Sequence, residues 1–261
     1  MKAKTELILY QCLWMADIMM RPSWRSMNSS FEEWSYRNGF LRQVRTLEAQ
    51  GWLESNEGGD GTERLYRLTR KGMLRAMGGL HPVERWDRGW DGKWRMVVFD
   101  VPEEKRSLRN ELRHELRAAR FGGLQGSVWI SPDPVNVIGD QLKEITSSSG
   151  VITFFEGATC CGESSSDVVS TAWDFTRIER DYEKYRAHLK SIPDGAGEGV
   201  RESLLEWGRI EKQLWSDCMA ADPLLPRELW LEGYSGEIAW QERVKTLRQV
   251  GKVAEKSLTN G

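Results

Sequence analysis

The chain has 261 residues, of which 29% are charged and 39% hydrophobic, and its formal net charge is −2. This length suits two or three small domains better than one core, and no apolar run approaches the roughly 20 residues of a membrane-spanning helix. The four cysteines lack metal-ligand spacing, and two of them are adjacent, so the sequence predicts neither a metal site nor a disulfide framework. A cytoplasmic protein without a cofactor is therefore expected.

Charge is unevenly distributed along the chain. Residues 1–80 carry 12 Lys and Arg against 9 Asp and Glu, a net of +3. Residues 81–161 carry 11 against 12, and residues 162–261 carry 14 against 18, so the later segments are acidic. A polyanionic partner would meet the amino-terminal segment first.

The amino-terminal segment reads as short helices followed by a hairpin. Apolar spacing predicts a first helix between Leu7 and Met19 and a second over Phe31 to Arg37, with a tight corner at Asn38 and Gly39. A third helix is expected over Phe40 to Gln50. Two short helices that meet at a corner are typical of a helix-turn-helix.

A β-hairpin is predicted directly after the third helix. Gly51-Trp52-Leu53 enters a strand, the loop Asn56 to Gly61 is rich in Gly, Asn and Asp, and Arg64 to Leu68 forms the returning strand. Helices followed by a hairpin and a basic loop indicate a winged helix-turn-helix over residues 1–80.

A helix that enters the major groove needs donors for base edges and phosphates opposite its apolar face, and a wing needs cations for the flanking phosphates. The predicted partner is double-stranded operator DNA. The alternative for these arginines is an ordinary solvated helix face, and winged helices also bind proteins. The predicted DNA-binding residues are Arg37, Asn38, Arg42, Gln43, Arg45, Arg64 and Arg67.

Residues 81–161 contain the best-specified pattern of the chain. Lys93 to Val101 reads as a buried strand, Leu108, Leu112 and Leu116 mark one stripe of a helix that Phe121-Gly122-Gly123 ends, and Leu124 to Ser131 reads as one further strand. A second helix through Leu142 and a strand over Val151 to Phe155 follow. The pattern predicts a ferredoxin-like domain with both helices on one face of an antiparallel sheet and the other face free for a second copy.

Three separated stretches carry a family resemblance. The sequence WDGKWRMVVFDVPEEKRSLRNELRHELRAARFGGLQGSVWISP in the middle segment closely resembles the central region of the PaaX transcriptional repressors. AWDFTRIERDYEKY and DPLLPRELW resemble the carboxy-terminal signatures of that family. The resemblance implies a homodimeric repressor that an acyl-CoA, phenylacetyl-CoA in the founding case, releases from its operator.

The middle segment is also similar to the ferredoxin-like nuclease of CRISPR adaptation. In that family an Asp at the end of the first strand helps to bind metal, and Asp100 occupies this place. A metal-dependent nuclease needs clustered carboxylates for a hard cation, and no second acid is placed by spacing. The favoured role for Asp100 is to cap the following helix.

Residues 162–261 read as an acidic helical domain. One long helix is predicted over Val168 to Leu189, and two more over Val200 to Ala220 and Ser235 to Val250. This domain is a better place for an effector pocket than for DNA contacts. Candidate effector-binding residues are Trp129, Trp173 and Arg177, although a plain core role is the more usual one for such tryptophans, since pockets and cores use the same residues.

The sequence as a whole therefore predicts an α+β protein with a winged helix-turn-helix, a ferredoxin-like middle domain and a helical carboxy-terminal domain. The expected function is that of a homodimeric, DNA-binding transcriptional regulator and not of an enzyme. Two alternatives remain: a metal-dependent nuclease built on the middle domain, and a winged-helix module that binds protein.

Overall fold

The structure is a computed structural model that describes residues 25–26, 41–57, 64–76, 81–146, 150–193 and 198–259. The two helices predicted before Asn38, and the corner at Asn38 and Gly39, lie outside these ranges. The described residues form both helices and sheets, which confirms the predicted α+β class. Within these residues, no helix is long and apolar enough to cross a membrane.

The described residues form seven strands, nine helices and two 3-10 turns. In chain order they are β1 (Arg25–Ser26), α1 (Leu41–Ala49), β2 (Leu53–Glu57), β3 (Arg64–Leu68), α2 (Arg70–Ala76), α3 (Pro82–Trp86), β4 (Trp94–Asp100), a 3-10 turn (Glu103–Lys105), α4 (Arg106–Ala118), β5 (Gly122–Gln125), β6 (Val128–Ser131), α5 (Asn136–Thr146), β7 (Val151–Gly157), α6 (Ser165–Ala172), α7 (Phe175–Leu189), α8 (Glu198–Ala221), a second 3-10 turn (Arg227–Leu229) and α9 (Gly236–Thr259).

The chain divides into two compact units. The first unit comprises Met1–His81, Tyr182–Asp217 and Gly236–Gly261, and the second comprises Pro82–Asp181 and Cys218–Ser235. Each unit therefore combines segments that are distant in sequence. The division of the sequence into three consecutive domains stays a prediction.

The first unit contains a three-stranded antiparallel sheet in the order β1-β3-β2. Its hairpin runs in continuous register from Leu53 opposite Leu68 to Glu57 opposite Arg64. The predicted hairpin after α1 is thereby confirmed. The alternation of the hairpin buries Leu53, Tyr66 and Leu68, because successive side chains of a strand point to opposite faces.

The helices of the first unit enclose a buried ion pair. The Arg243 Nε donates to Glu211 Oε1 at 2.8 Å, and the Tyr185 hydroxyl donates to the same oxygen at 2.6 Å. Burial raises the pKa of the Glu211 carboxyl, and the positive charge of Arg243 opposes this rise. The guanidinium also lies over the ring of Trp215, 4.8 Å from its centroid.

The second unit is built on a four-stranded antiparallel sheet in the order β5-β6-β4-β7. The elements follow the sequence β4-α4-β5-β6-α5-β7, which is the ferredoxin-like topology. Helices α4 and α5 cover one face, as predicted. The core on this face consists of Val97, Phe99, Val101, Leu112, Leu116, Phe121, Trp129 and Leu142.

The opposite face of this sheet is partly covered by chain from after the middle segment. Helix α6 and the second 3-10 turn pack on Trp94 and Ile130 with Val169, Trp173 and Leu229. Gly122 in β5 permits this contact, since a Cβ there would lie 2.6 Å from Ala172 and from the Trp173 ring. The glycine predicted to end α4 therefore serves close packing within a strand.

The structure corrects three other expectations. The single strand predicted over Leu124 to Ser131 is two strands, β5 and β6, joined by a tight turn in which Gly126 has a positive φ of 28°. The long helix predicted from Val168 is broken at Trp173, which is extended, and Asp174 Oδ1 then accepts from the Arg177 N–H at 3.0 Å. Asp100 is exposed and caps no helix, because Pro102 and Lys105 occupy the cap positions without side-chain hydrogen bonds.

Candidate nucleic-acid interface

Helix α1 has one buried face and one basic face. Val44 and Leu47 are 2% and 0% exposed, whereas Arg42 and Arg45 are exposed. Positions 44 and 47 are three apart and so fall on one side of a helix, which turns positions 42 and 45 to another. The short helix therefore fixes two guanidinium groups on the side that does not pack.

The end of α1 is set by a glycine. Gly51 has a φ of 67°, its N–H donates to the Glu48 carbonyl at 2.9 Å, and the Trp52 N–H donates to the Leu47 carbonyl at 2.9 Å. This pair of bonds is a Schellman motif, in which glycine provides the left-handed residue without strain. The motif turns the chain directly from α1 into β2.

Three contacts attach the end of α1 to the chain that follows the hairpin. Thr69 Oγ1 donates to the Gly51 carbonyl at 2.8 Å, and Lys71 Nζ donates to the Gln50 carbonyl at 3.2 Å. Gly72 lies so close that a Cβ on it would be 1.9 Å from the Trp52 carbonyl oxygen. The orientation of α1 relative to the hairpin is therefore defined by short-range geometry that tolerates no side chain at Gly72.

The outward side of α1 combines polar side chains with apolar surface. It forms a shallow groove lined by Leu41, Arg42, Arg45, Thr46, Ala49 and Gln50. Thr46 Oγ1 donates to the Arg42 carbonyl at 2.7 Å. The groove offers guanidinium and amide donors, which suit phosphate oxygens and the acceptor-rich edges of bases.

The structure brings together some of the predicted DNA-binding residues and leaves others unplaced. Arg42 and Arg45 share the exposed side of α1, and Gln43 is half-buried beside them. Arg67 lies in β3 and pairs with Glu54 at 2.6 Å, and Arg64 begins the same strand. Arg37 and Asn38 lie outside the described residues.

Two basic residues near α1 were missed by the sequence analysis. Arg70 and Lys71 are exposed at the start of α2, and the contact of Lys71 with Gln50 places its ammonium group beside the end of α1. The signal was present in the run Thr69-Arg70-Lys71-Gly72, because a basic run directly after a hairpin falls next to the helix that precedes it.

The three predicted effector-binding residues lie apart. Trp129 faces α4 on one side of the sheet, with the Arg117 guanidinium 5.3 Å from its ring centroid. Trp173 belongs to the core on the opposite side of the sheet. Arg177 is exposed on α7, and its Nε lies 3.7 Å from Asp181. Their assignment to an effector stays a prediction.

The part of the chain that the structure describes contains no group of three His, Cys, Asp or Glu side chains able to hold a metal ion. Asp100 is exposed at the end of β4, opposite Val151 of β7.

Comparison with known proteins identifies the middle of the chain. Residues 87–169 match the family described as the PaaX protein central Cas2-like domain. No curated protein matches the chain. A solved structure, uncharacterized protein Rv0674 from Mycobacterium tuberculosis, is similar over 96% of this chain and 96% of its own, with a TM-score of 0.55 and 16% sequence identity. At that identity the likeness shows a shared fold.

The matched region begins just before β4 and ends within α6, so it includes the whole four-stranded sheet of the second unit and both of its helices. The match therefore shows that this part of the chain is similar to the central domain of PaaX proteins.

Proposed function

We propose that the protein is a transcriptional regulator that binds operator DNA through a winged helix-turn-helix centred on α1. The observation that carries the proposal is the attachment of α1, with Arg42 and Arg45 exposed, to an antiparallel hairpin that also pairs with β1. A recognition helix followed by a hairpin wing, with a short strand from earlier in the chain completing the sheet, is the expected order of a winged helix. The match of residues 87–169 to the central domain of PaaX proteins supports a regulatory role.

The electrostatics of α1 favour DNA over a protein partner. Its exposed side presents two arginines, and Arg70 and Lys71 add two further cations at the start of α2. Phosphate contacts supply most of the affinity of such a surface, whereas the side chains that reach base edges supply its specificity. In this proposal Arg42 and Arg45 enter the major groove and Arg70 and Lys71 meet the backbone.

Alanine substitutions in α1 test the proposal. Arg42→Ala or Arg45→Ala should weaken binding to DNA from the protein's own promoter by about 1–3 kcal/mol where the arginine reads a base. A fluorescence anisotropy titration against the promoter duplex and a scrambled duplex measures the change in specificity. Arg209→Ala is the matched control, since Arg209 is exposed on a helix of the same unit and pairs with Glu206. Promoter affinity unchanged in both α1 variants contradicts the proposal.

We further propose that the regulator is a homodimer joined through β7. This strand is an edge of its sheet, has seven residues in unbroken register with β4, and contains no proline and no lysine. Natural edge strands are normally protected by a bulge, a proline or a charged side chain. The one charge on β7, Glu156, is held by Lys93 and Arg95, and the hydrogen bond from Lys93 lowers the pKa of this carboxyl.

The exposed side chains of β7 are self-complementary. Val151 and Phe155 are 66% and 55% exposed and lie two residues to either side of Thr153. In an antiparallel pairing of two copies centred on Thr153, each Val151 therefore faces the Phe155 of the other copy, and such aromatic and β-branched pairs stabilise sheets. A two-fold dimer also suits an operator with two half-sites.

Cysteine cross-linking tests this register. Residues directly opposite in an antiparallel pair have Cα atoms about 4.5–5.5 Å apart, within the range of a disulfide. In a variant lacking the exposed Cys160 and Cys161, Thr153→Cys should therefore form an intermolecular disulfide under mild oxidation. Phe155→Cys is the control, because its two copies would lie about 13 Å apart along the strands. Equal cross-linking at both positions, or none at Thr153, contradicts the pairing.

The proposed effector is an acyl-CoA that releases the regulator from DNA, a role supported by the family resemblance alone. A ligand that binds the folded protein raises its melting temperature by mass action. Phenylacetyl-CoA should therefore raise the melting temperature and weaken promoter binding, whereas free CoA should do neither. A titration in which phenylacetyl-CoA leaves both quantities unchanged excludes this effector.

A further inference from the structure

Helix α4 carries a stripe of arginines on one side. Arg106, Arg109, Arg113, Arg117 and Arg120 follow one another at spacings of three, four, four and three. At about 100° per residue, these spacings confine the five side chains to an arc of about 80°. The first four belong to α4, and Arg120 lies two residues beyond its end. These five residues are called the arginine stripe below.

The arginine stripe is separated from the acidic residues of the same helix. Leu112 and Leu116 are fully buried against the sheet and lie between the stripe and the opposite flank. Glu111 and Glu115 occupy that flank, where Glu115 accepts a hydrogen bond from Gln141 at 2.8 Å. The charge of α4 is therefore segregated by sign across its buried leucines.

Backbone carbonyl groups and one aromatic ring hold guanidinium groups of the stripe. Arg109 donates to the Val101 carbonyl at 2.9 Å, Arg113 to the Gly126 carbonyl at 3.2 Å, and Arg120 to the Asp222 carbonyl. Arg117 lies over the Trp129 ring. These contacts orient Arg109, Arg113 and Arg117 without neutralising them, because neither a carbonyl nor a ring carries a compensating charge.

Carboxylates neutralise other arginines of the same unit but not those of α4. Arg88 pairs with Asp133 at 2.6 Å, and Arg95 pairs with Asp91 at 2.5 Å. Across the described ranges, no carboxylate forms an ion pair with the four stripe arginines that lie within α4. These four arginines therefore present a net positive surface on a chain whose overall charge is negative.

Helix stability does not explain this arrangement. Like charges three or four residues apart destabilise a helix by about 0.2–0.5 kcal/mol per pair, and Arg109, Arg113 and Arg117 form two such pairs in succession. An ordinary solvated helix face alternates the sign of its charges at this spacing. Repulsion between the stripe arginines destabilises α4, and a partner with negative charge would offset this repulsion.

We propose that the arginine stripe binds the phosphate backbone of duplex DNA, as a contact surface additional to α1. From Arg106 to Arg120 the helix rises about 21 Å, so the charges form a line and do not converge on one point. A line of guanidinium groups matches a polymer of phosphates better than a single small anion. This inference rests on the proposed function, because it assumes that the protein binds DNA.

The salt dependence of DNA binding measures the contribution of the stripe. Each phosphate contact contributes about 0.9 to the slope of log affinity against log salt concentration. Neutralising the two exposed stripe residues in Arg106→Gln/Arg117→Gln should therefore reduce the magnitude of the slope, on any duplex sequence, by about 2 for each copy of the chain, and so by about 4 for the proposed homodimer. Arg106→Lys/Arg117→Lys keeps the charge and should restore the slope. Arg177→Gln/Arg180→Gln removes two exposed arginines from α7 of the same unit and should leave it unchanged.

A parallel titration of Arg42→Ala/Arg45→Ala separates this inference from the proposed function. Loss of promoter specificity in the α1 variant, together with an unchanged slope in Arg106→Gln/Arg117→Gln, overturns the stripe contact alone. A wild-type protein that binds no duplex overturns both. If the Gln variant loses affinity for poly-glutamate but not for DNA, the stripe binds an acidic protein and the inference is also overturned.

Discussion

Helices α1 and α4 end in the same backbone motif but have different residues at its left-handed position. Each ends in a Schellman motif: in α4 the Arg120 N–H donates to the Arg117 carbonyl and the Phe121 N–H donates to the Leu116 carbonyl, both at 2.9 Å. In α1 the left-handed position is held by Gly51, whereas in α4 it is held by Arg120 with a φ of 65°. A non-glycine residue there is strained, so α4 retains an arginine at a position where glycine would stabilise the turn.

The two helices also differ in how far a role for their arginines can be predicted from the sequence. The arginines of α1 belong to a pattern of helix and glycine-rich hairpin that is typical of a DNA-binding domain. The arginines of α4 were not predicted to bind a partner, because the spacing of the leucines in the same helix accounts for its pattern by core packing alone. A basic stripe on a packed helix is thus visible only when the positions between the apolar residues are read as carefully as the apolar residues themselves.

The largest expected losses of stability come from shortening the buried leucine in the Schellman motif of each helix. Leu47 and Leu116 are both 0% exposed and supply the carbonyl that accepts the longer-range Schellman bond. Leu47→Ala and Leu116→Ala should each destabilise the protein by about 2–5 kcal/mol, since each leaves a cavity. Urea unfolding followed by circular dichroism measures the loss. The exposed controls Arg42→Ala and Asn110→Ala should stay within about 0.5 kcal/mol of the parent, and a leucine variant equally close would contradict the packing.

At both left-handed positions, glycine should give a more stable protein than alanine. Gly51→Ala should destabilise by about 1 kcal/mol through backbone strain alone, because a Cβ at Gly51 meets nothing within 4 Å. At the corresponding position of α4, Arg120→Gly should be more stable than Arg120→Ala by about 1 kcal/mol, since both lose the bond to the Asp222 carbonyl but only glycine relieves the strain. Equal urea midpoints for Arg120→Gly and Arg120→Ala would refute the strain.

The smallest expected effect concerns the hairpin that follows α1. Glu54→Gln removes the ion pair with Arg67. In this pair the side chain of Glu54 is 42% exposed and that of Arg67 is 30% exposed. A partly exposed pair contributes about 0.2–1 kcal/mol, so the melting temperature should fall only slightly at low salt and not at all at high salt. A loss that persists at high salt would show that Glu54 acts by something other than charge.

The sequence was most informative where one periodicity dominates. The hairpin over residues 53–68, the strand β4 and the leucine stripe of α4 lie where their patterns predicted them. Periodicity could not reveal the turn between β5 and β6, because Leu124 to Ser131 is short enough to read as one strand. The break at Trp173 was equally hidden, since its aromatic ring continues the apolar pattern while its backbone leaves the helix.

The packing of later chain segments on the face of the second unit's sheet opposite α4 and α5 could not be predicted from the sequence, for a different reason. Helix α6 and the segment around Leu225 and Leu229 pack on Trp94 and Ile130, although they lie far along the chain from β4. No local pattern encodes a partner at that distance. The clue is Gly122, whose missing side chain makes room for Trp173, but a glycine after a helix is more simply read as its end.

The most direct test of the central claim is a salt titration of the unmodified protein on duplex DNA from its own promoter. If Arg42 and Arg45 of two copies meet DNA, the logarithm of the association constant should fall linearly with the logarithm of salt concentration, with a slope of about −3 or steeper. The promoter duplex should also bind more tightly than a scrambled duplex at every salt concentration. Binding that is absent, or that does not change with salt, would contradict a DNA-binding role.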